Sequence, residues 1–150
     1  MKPRKIRLTI DSRLDHLARI NRAVKKVASL VPLSDAEAFQ IELCAVEAVT
    51  NSIKHAYGNE TAHRVEVAFS LYPDRLTLEV CDTGRPMDQA VFEQKVALSL
   101  EIDPANRSLI SETGRGLPII REIMDSVAYR SEKGKNTLVM TKVIDKKQDQ

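Results

Sequence analysis

Three polar residues in the stretch 35–57 have types and a spacing that could do chemistry. Glu47, Asn51 and His55 follow one another at steps of four residues, so on a helix they share a face that drifts by about 40° per step. A carboxylate can take a proton from a hydroxyl nucleophile, and an amide oxygen one turn away is a hard ligand of the kind Mg²⁺ prefers. On this helix alone, a solvated polar face is the more frequent explanation of such residues.

A second candidate group follows a predicted strand. Asp82 comes directly after the alternating Leu76, Leu78 and Val80, and Gly84 comes two residues later. An aspartate at a strand end can accept a hydrogen bond from an adenine amino group, while a glycine lets the chain turn beneath the base. An ordinary turn can contain the same residues, so this motif also needs support from its surroundings.

A third candidate group opens a predicted helix. Gly114, Arg115 and Gly116 precede Pro118, and free N–H groups at a helix N-terminus make an anion site that the helix dipole favours. The motif is not a P-loop, because no Gly-Lys-Ser/Thr follows. It is not a dinucleotide fingerprint either, because Ile119 stands where the third glycine would be. A flexible hinge would have the same glycines.

Hydrophobic periodicity and stop signals predict the elements that position these motifs. Strands are predicted over 4–10, 64–71, 75–81, 126–131 and 137–144. Helices are predicted over 13–31, from Ser34 to about Tyr57, and from Gly116 or Pro118 to about Asp125, with an amphipathic piece near 88–100 inside a lid of about 83–113. Ser12 is expected to cap the first helix, and Ser34 with Glu37 to form a capping box on the second.

This order of elements predicts the fold class. Strand, helix, helix, hairpin, lid, helix and hairpin indicate an α/β (α+β) two-layer sandwich, with a mixed, mainly antiparallel sheet and helices on one face. A doubly wound parallel sheet does not fit. The 150 residues suit one domain, and residues 145–150 are expected to be a frayed tail.

Composition excludes several classes of function. The net charge of +2 and the aromatic share of 4% argue against nucleic-acid binding. Cys44 and Cys81 lack a CxxC partner, so we expect two buried, reduced thiols rather than a metal or redox site. No apolar run approaches the roughly 20 residues that span a bilayer, so we expect a cytoplasmic protein with no membrane contact.

Taken together, the three motifs resemble a known group of proteins. Their order and spacing over about residues 6–143 are similar to those of the GHKL ATP-binding domains, which have the Bergerat fold. Within that group the stretches AVEAVTNSIKHAYG, CDTGRPMD and TGRGLPIIREIMDSVAY resemble the anti-sigma-factor serine/threonine kinases of the RsbW and SpoIIAB type. The resemblance implies ATP and Mg²⁺ as cofactors.

The resemblance also implies a role for each motif residue. Glu47 would be the general base, and Asn51 the magnesium ligand. Asp82 would bind the adenine amino group, with Gly84 shaping the pocket. The phosphate contacts would come from three residues and a nearby nucleotide contact from a fourth: Gly114, Arg115, Gly116 and Thr137.

Two departures from the family pattern bear on activity. Pro118 and Ile119 stand where many relatives have a further glycine, which predicts a stiffer phosphate loop. Asn136 interrupts the fuller Gly-x-Gly-Thr form before Thr137.

The implied partners are a sigma factor, which the kinase sequesters, and a STAS-domain antagonist, which it phosphorylates on serine. The resemblance further implies a homodimer. Two alternatives stay open: a non-catalytic module that binds ATP and grips a partner, and the catalytic part of a histidine kinase whose phosphoaccepting histidine lies on another chain.

Overall fold

Alternating apolar residues build the sheet of this protein, whose computed structural model describes residues 2–97 and 116–144. Within these residues the strands are β1 (Arg4–Asp11), β2 (Arg64–Leu71), β3 (Arg75–Asp82), β4 (Ser126–Glu132) and β5 (Lys135–Val143). They form one sheet in the order β1-β2-β3-β5-β4, and every neighbouring pair is antiparallel. The predicted antiparallel character is confirmed, and the described strands contain no parallel pair that would make the sheet mixed.

The helices of the described residues follow the predicted order. They are α1 (Ala18–Leu30), α2 (Asp35–Asn51), α3 (Gln89–Val96) and α4 (Gly116–Ile123). A short 3-10 turn, Leu14–His16, precedes α1, and a π-helical turn, Ser52–Ala56, continues α2. None of the helices in the described residues is both long and apolar enough to cross a membrane.

The start of α2 has the capping box that the sequence predicts. The Ser34 hydroxyl accepts from the Glu37 amide at 3.1 Å, and the Glu37 carboxylate accepts from the Ser34 amide at 3.0 Å. These two bonds satisfy N–H groups that the first helical turn leaves without partners. The capping box therefore fixes where α2 begins, and with it which residues of the helix face the core.

The prediction that Ser12 caps the first helix is wrong. The buried Ser12 hydroxyl donates to the Glu60 carbonyl and accepts from the His63 amide at 3.2 Å. It thus fastens the end of β1 to the loop before β2, and α1 begins only at Ala18.

One apolar layer joins the helices to the sheet. Alternate residues of β2 and β3 are buried, including Val67, Phe69 and Leu78, and the helices contribute Ile20 and Ile41. The opposite sheet face carries half-buried and exposed residues. The helices therefore cover one face of the sheet, and residues at the edge of the apolar layer are available for a site.

Candidate functional site

Asp82, at the end of β3, is the centre of a buried hydrogen-bond network. Only 8% of the residue is exposed. Its Oδ2 accepts from the Ser52 hydroxyl at 2.7 Å, and its Oδ1 accepts from the Asn136 amide at 2.7 Å and from the Gly84 backbone N–H at 3.1 Å. Three donors from three separate segments therefore orient one carboxylate.

Ser52 reaches this network from the sheet side of α2, at the first position of a π-helical turn. The Tyr57 N–H bonds to the Ser52 carbonyl at 3.0 Å, which closes a wider turn than an α-helix would. Sequence reasoning missed Ser52, since the periodicity of α2 places it on the side that packs against the sheet. A hydroxyl among apolar and small packing residues was the available signal, because a buried hydroxyl needs a partner.

Gly84 is required by a close backbone approach. A Cβ on Gly84 would lie 2.4 Å from the Ala56 carbonyl oxygen, and the neighbouring Arg85 N–H donates to that same oxygen at 2.8 Å. The Tyr57 hydroxyl accepts from the Thr83 N–H at 2.8 Å. The loop after β3 therefore lies directly on the end of α2.

Thr137 does not join Asp82, and its neighbour Asn136 does. In the β3–β5 register Asn136 is opposite Asp82, and Thr137 is opposite Cys81. The Thr137 hydroxyl lies 3.5 Å from the Cys81 sulfur, on the sheet face away from the helices. Successive side chains of a strand point to opposite faces, so one position decides which residue reaches the site. Sequence reasoning noted Asn136 only as a departure.

Glu47 lies against the first residue of α4. A Cβ on Gly116 would be 2.6 Å from Glu47 Oε2, and Glu47 is 8% exposed. The structure thus brings Glu47 and Gly116 together, while Gly114 and Arg115 lie outside the described residues.

Asn51 occupies a half-buried position between the two ends of this site. It is one turn after Glu47 and directly before Ser52. Among the described residues no three His, Cys, Asp or Glu side chains cluster as a metal site. Mg²⁺ in nucleotide sites is usually held by one or two protein oxygens together with phosphates and waters. The amide oxygen of Asn51, one helical turn after Glu47, fits that donor chemistry.

Two side chains of the segment 35–56, those of His55 and Cys44, have shifted pKa values. Loss of hydration lowers the pKa of His55, and the charges of Lys95 and Lys54 lower it further. Burial raises the pKa of the Cys44 thiol to about 12. The charge of Lys142 opposes this shift, and the charge of Glu47 adds to it. Cys44 is therefore an inert, buried thiol, as predicted, whereas Cys81 is only half-buried.

The candidate site therefore has two carboxylates, Asp82 at the end of β3 and Glu47 on α2. Asp82 is an oriented acceptor that can receive a hydrogen bond from an amino group. Glu47, beside Gly116 of α4, can take a proton.

Comparison with known proteins finds a matching family and similar sequences. The family described as the histidine kinase-like ATPase domain matches residues 10–142. The serine-protein kinase RsbW of Bacillus cereus (strain ZK / E33L) is 29% identical over 144 residues, covering 96% of this chain and 88% of that protein. RsbW of Listeria innocua serovar 6a is 28% identical, covering 96% of this chain and 90% of its own length.

Solved structures share the fold at low sequence identity. A chain of the SiaB–SiaC complex from Pseudomonas aeruginosa superposes with a TM-score of 0.59 and 14% identity, covering 93% of this chain and 88% of that one. The catalytic domain of the histidine kinase ThkA gives a TM-score of 0.56 at 13% identity, with 95% and 96% covered.

Proposed function

Because the chain belongs to the histidine kinase-like ATPase domain family, we propose that it is an ATP-dependent protein serine/threonine kinase and an anti-sigma factor. It would bind a sigma factor and phosphorylate a STAS-domain antagonist. The observation that carries the proposal is the contact between the Glu47 carboxylate and Gly116 at the start of α4. Glu47, held beside Gly116, would be the base for the partner's hydroxyl, and phosphoryl transfer depends mainly on such positioning. The relatives named serine-protein kinase support the same reaction.

We assign the contacts with the nucleotide to the two ends of the site. Asp82 accepts a hydrogen bond from the adenine amino group, and the Gly84 loop lies beneath the base. Gly116, with Gly114 and Arg115, provides the phosphate contacts. Mg²⁺, when bound with the nucleotide, supplies charge neutralisation for the phosphates, and Asn51 is the residue that would hold it.

The transfer step needs one base and a well-placed nucleotide. The hydroxyl oxygen of the partner's serine forms a bond to the γ-phosphorus, the bond from that phosphorus to the β–γ bridging oxygen breaks, and ADP leaves. Glu47 takes the hydroxyl proton. Phosphoryl transfer depends mainly on positioning and charge stabilisation, so the network that holds Asp82 contributes by fixing the nucleotide.

The proposed regulation is electrostatic. Phosphate on the antagonist's serine adds about 1.5–2 negative charges at pH 7. This charge disfavours contact with the kinase and leaves the kinase to bind the sigma factor. We place this exchange in the cytoplasm and assign it to a homodimer. The matching chain of the SiaB–SiaC complex, which has the same fold, was likewise solved with a protein partner.

Glu47→Gln tests the reaction. The purified protein is incubated with a candidate STAS-domain protein and γ-labelled ATP. We expect the variant to bind ATP while transfer falls by about 10²–10⁴-fold, the usual contribution of a general base. Glu122→Gln, at an exposed site of α4, is the matched control and should transfer normally. Undiminished transfer by Glu47→Gln would remove the base assignment.

Asn51→Ala tests the metal assignment separately. We expect ATP affinity measured with Mg²⁺ to fall towards the affinity measured with EDTA, because the variant lacks the amide oxygen. An unchanged dependence of affinity on Mg²⁺ would contradict the role of Asn51. A wild-type protein that binds ATP and the partner but never transfers phosphate would instead be the non-catalytic module.

A further inference from the structure

The Asn136 side chain uses both ends of its amide group. The nitrogen holds Asp82 and the loop after β3, and the oxygen pairs with β4. Its Nδ2 donates one hydrogen to Asp82 Oδ1 at 2.7 Å and the other to the Gly84 carbonyl at 3.0 Å. Its Oδ1 accepts from the Ser131 hydroxyl at 2.6 Å. Asn136 is 2% exposed, so it is a buried link and not a surface contact.

These contacts allow only one orientation of the amide. If the amide were flipped, its oxygen would face the Asp82 carboxylate and the Gly84 carbonyl, and three acceptors would then meet without a proton. Ser131 on β4 reinforces this orientation by donating to the oxygen. The hairpin of β4 and β5 therefore determines the direction of the donor that reaches Asp82.

Counting lone pairs shows which Asp82 oxygen is available to a ligand. Each carboxylate oxygen can accept about two hydrogen bonds. Within the described residues, Oδ1 accepts two, from Asn136 and Gly84, whereas Oδ2 accepts one, from Ser52. The remaining acceptor position thus belongs to Oδ2, beside the Ser52 hydroxyl.

We propose that Asn136, oriented by Ser131, is a positioning residue that sets the plane of the Asp82 carboxylate and thereby the selectivity of the site for a purine with a 6-amino group. The inference rests on the proposed ATP site. Asn136 and Ser131 do not contact the base: they act by holding Oδ1, so that Oδ2 presents its free lone pair in one direction.

The prediction concerns the discrimination between two nucleotides. ATP and purine riboside triphosphate differ only in the 6-amino group. A hydrogen bond to a charged acceptor corresponds to about a tenfold preference or more, and we expect the wild-type protein to bind ATP more tightly by that factor. Asn136→Ala and Ser131→Ala should each reduce the preference by about threefold or more, chiefly through weaker binding of ATP.

The experiment measures both dissociation constants by competition against a fluorescent ATP analogue. A purely structural defect weakens both nucleotides alike and leaves their ratio unchanged. Ser131 lies at an exposed strand position, so Ser131→Ala remains informative even where Asn136→Ala fails to fold. Ser131→Thr keeps the hydroxyl and should restore the ratio, and Ser126→Ala on the same strand should not alter it.

The possible outcomes separate the positioning role of Asn136 from the proposed ATP site. An unchanged ratio in Ser131→Ala and in any folded Asn136→Ala would overturn the positioning role while ATP binding stands. Equal affinity of the wild-type protein for both nucleotides would overturn the role as well, since Asp82 would then not read the amino group. Absence of ATP binding by the wild-type protein would overturn the proposed function itself, and the inference with it.

Discussion

At the scale of single residues, the two glycines of the site are there for different reasons. A side chain on Gly84 would meet the Ala56 backbone carbonyl at 2.4 Å, whereas one on Gly116 would meet the end of the Glu47 side chain at 2.6 Å. A backbone carbonyl held by an Arg85 hydrogen bond cannot move away without disturbing the turn. A carboxylate at the end of a flexible side chain can rotate away.

Alanine substitutions at these two glycines should therefore separate stability from activity. Gly84→Ala is expected to destabilise the protein by about 1–3 kcal/mol, the usual range for overpacking. Gly116→Ala should destabilise the protein less than Gly84→Ala, because the group that must move is the end of a side chain and not a backbone carbonyl. It should nevertheless reduce phosphoryl transfer, by as much as about 10²-fold, because it displaces the Glu47 carboxylate.

Urea unfolding and the labelled-ATP transfer assay measure the two effects on the same preparations. Wild-type transfer by Gly116→Ala would show that the position of the Glu47 carboxylate beside α4 does not matter for the reaction. Wild-type stability of Gly84→Ala would contradict the backbone approach at Ala56.

At the scale of elements, the π-helical turn at the end of α2 connects most of the site. Its first residue, Ser52, donates to Asp82, and its last, Ala56, accepts from Arg85. His55 lies in the same turn, and the positive charge of Lys95 on α3 acts on it. The pKa of His55 can therefore report how α3 sits relative to this turn.

We expect His55 to titrate below the ordinary histidine pKa of about 6.5. Desolvation is the larger cause, followed by Lys95 and Lys54. Lys95→Ala should raise the pKa, because it removes a neighbouring positive charge, and Lys25→Ala on α1 serves as the control. NMR titration of the imidazole protons measures both. A midpoint at or above 6.5, or a midpoint unchanged by Lys95→Ala, would contradict the placement of α3.

The direction of this shift determines its effect on stability. A histidine with a lowered pKa in the folded state binds a proton more readily in the unfolded chain. His55 therefore has no effect on the free energy of unfolding well above pH 6.5. As the pH falls below about 6.5, it lowers that free energy, until the folded state is protonated as well.

At the scale of the whole molecule, the proposed ligand bridges parts that are distant in sequence. The site joins the end of α2, the β3–β5 pair and the start of α4, so a nucleotide bound there stabilises only the folded state. ATP at about 100 times its dissociation constant adds about 2.7 kcal/mol to the free energy of unfolding. For a chain of this size that corresponds to roughly 5–10 °C in Tm.

Thermal unfolding with Mg-ATP, with Mg²⁺ alone and with purine riboside triphosphate measures this effect. The increase in Tm should be large with Mg-ATP and small with Mg²⁺ alone. At equal concentration, the analogue should raise Tm less than ATP does. An unchanged Tm at millimolar Mg-ATP would contradict nucleotide binding by the folded chain.

Local signals in the sequence predicted the order and type of the elements. The connection between β4 and β5 is shorter than the predicted strands 126–131 and 137–144 leave, because β4 ends at Glu132 and β5 begins at Lys135. Lys133 and Gly134 adopt positive φ, 52° and 80°, as a tight hairpin with a type I′ turn requires. The capping box at Ser34 and the alternation in β2 and β3 depend on residues close together in the chain. Such features can be read from a single sequence because their physical causes are local.

The sequence by itself determined the set of motif residues and their order, and the family resemblance determined their proposed roles. Only the tertiary structure decided that Asn136, and not Thr137, reaches Asp82, and that Ser52 turns towards the same carboxylate. The register between β3 and β5 and the π-helical turn of α2 depend on contacts between distant segments. A shift of one residue in a strand moves every side chain to the other face, and the consecutive apolar residues Leu138, Val139 and Met140 do not show by themselves which face of β5 is buried.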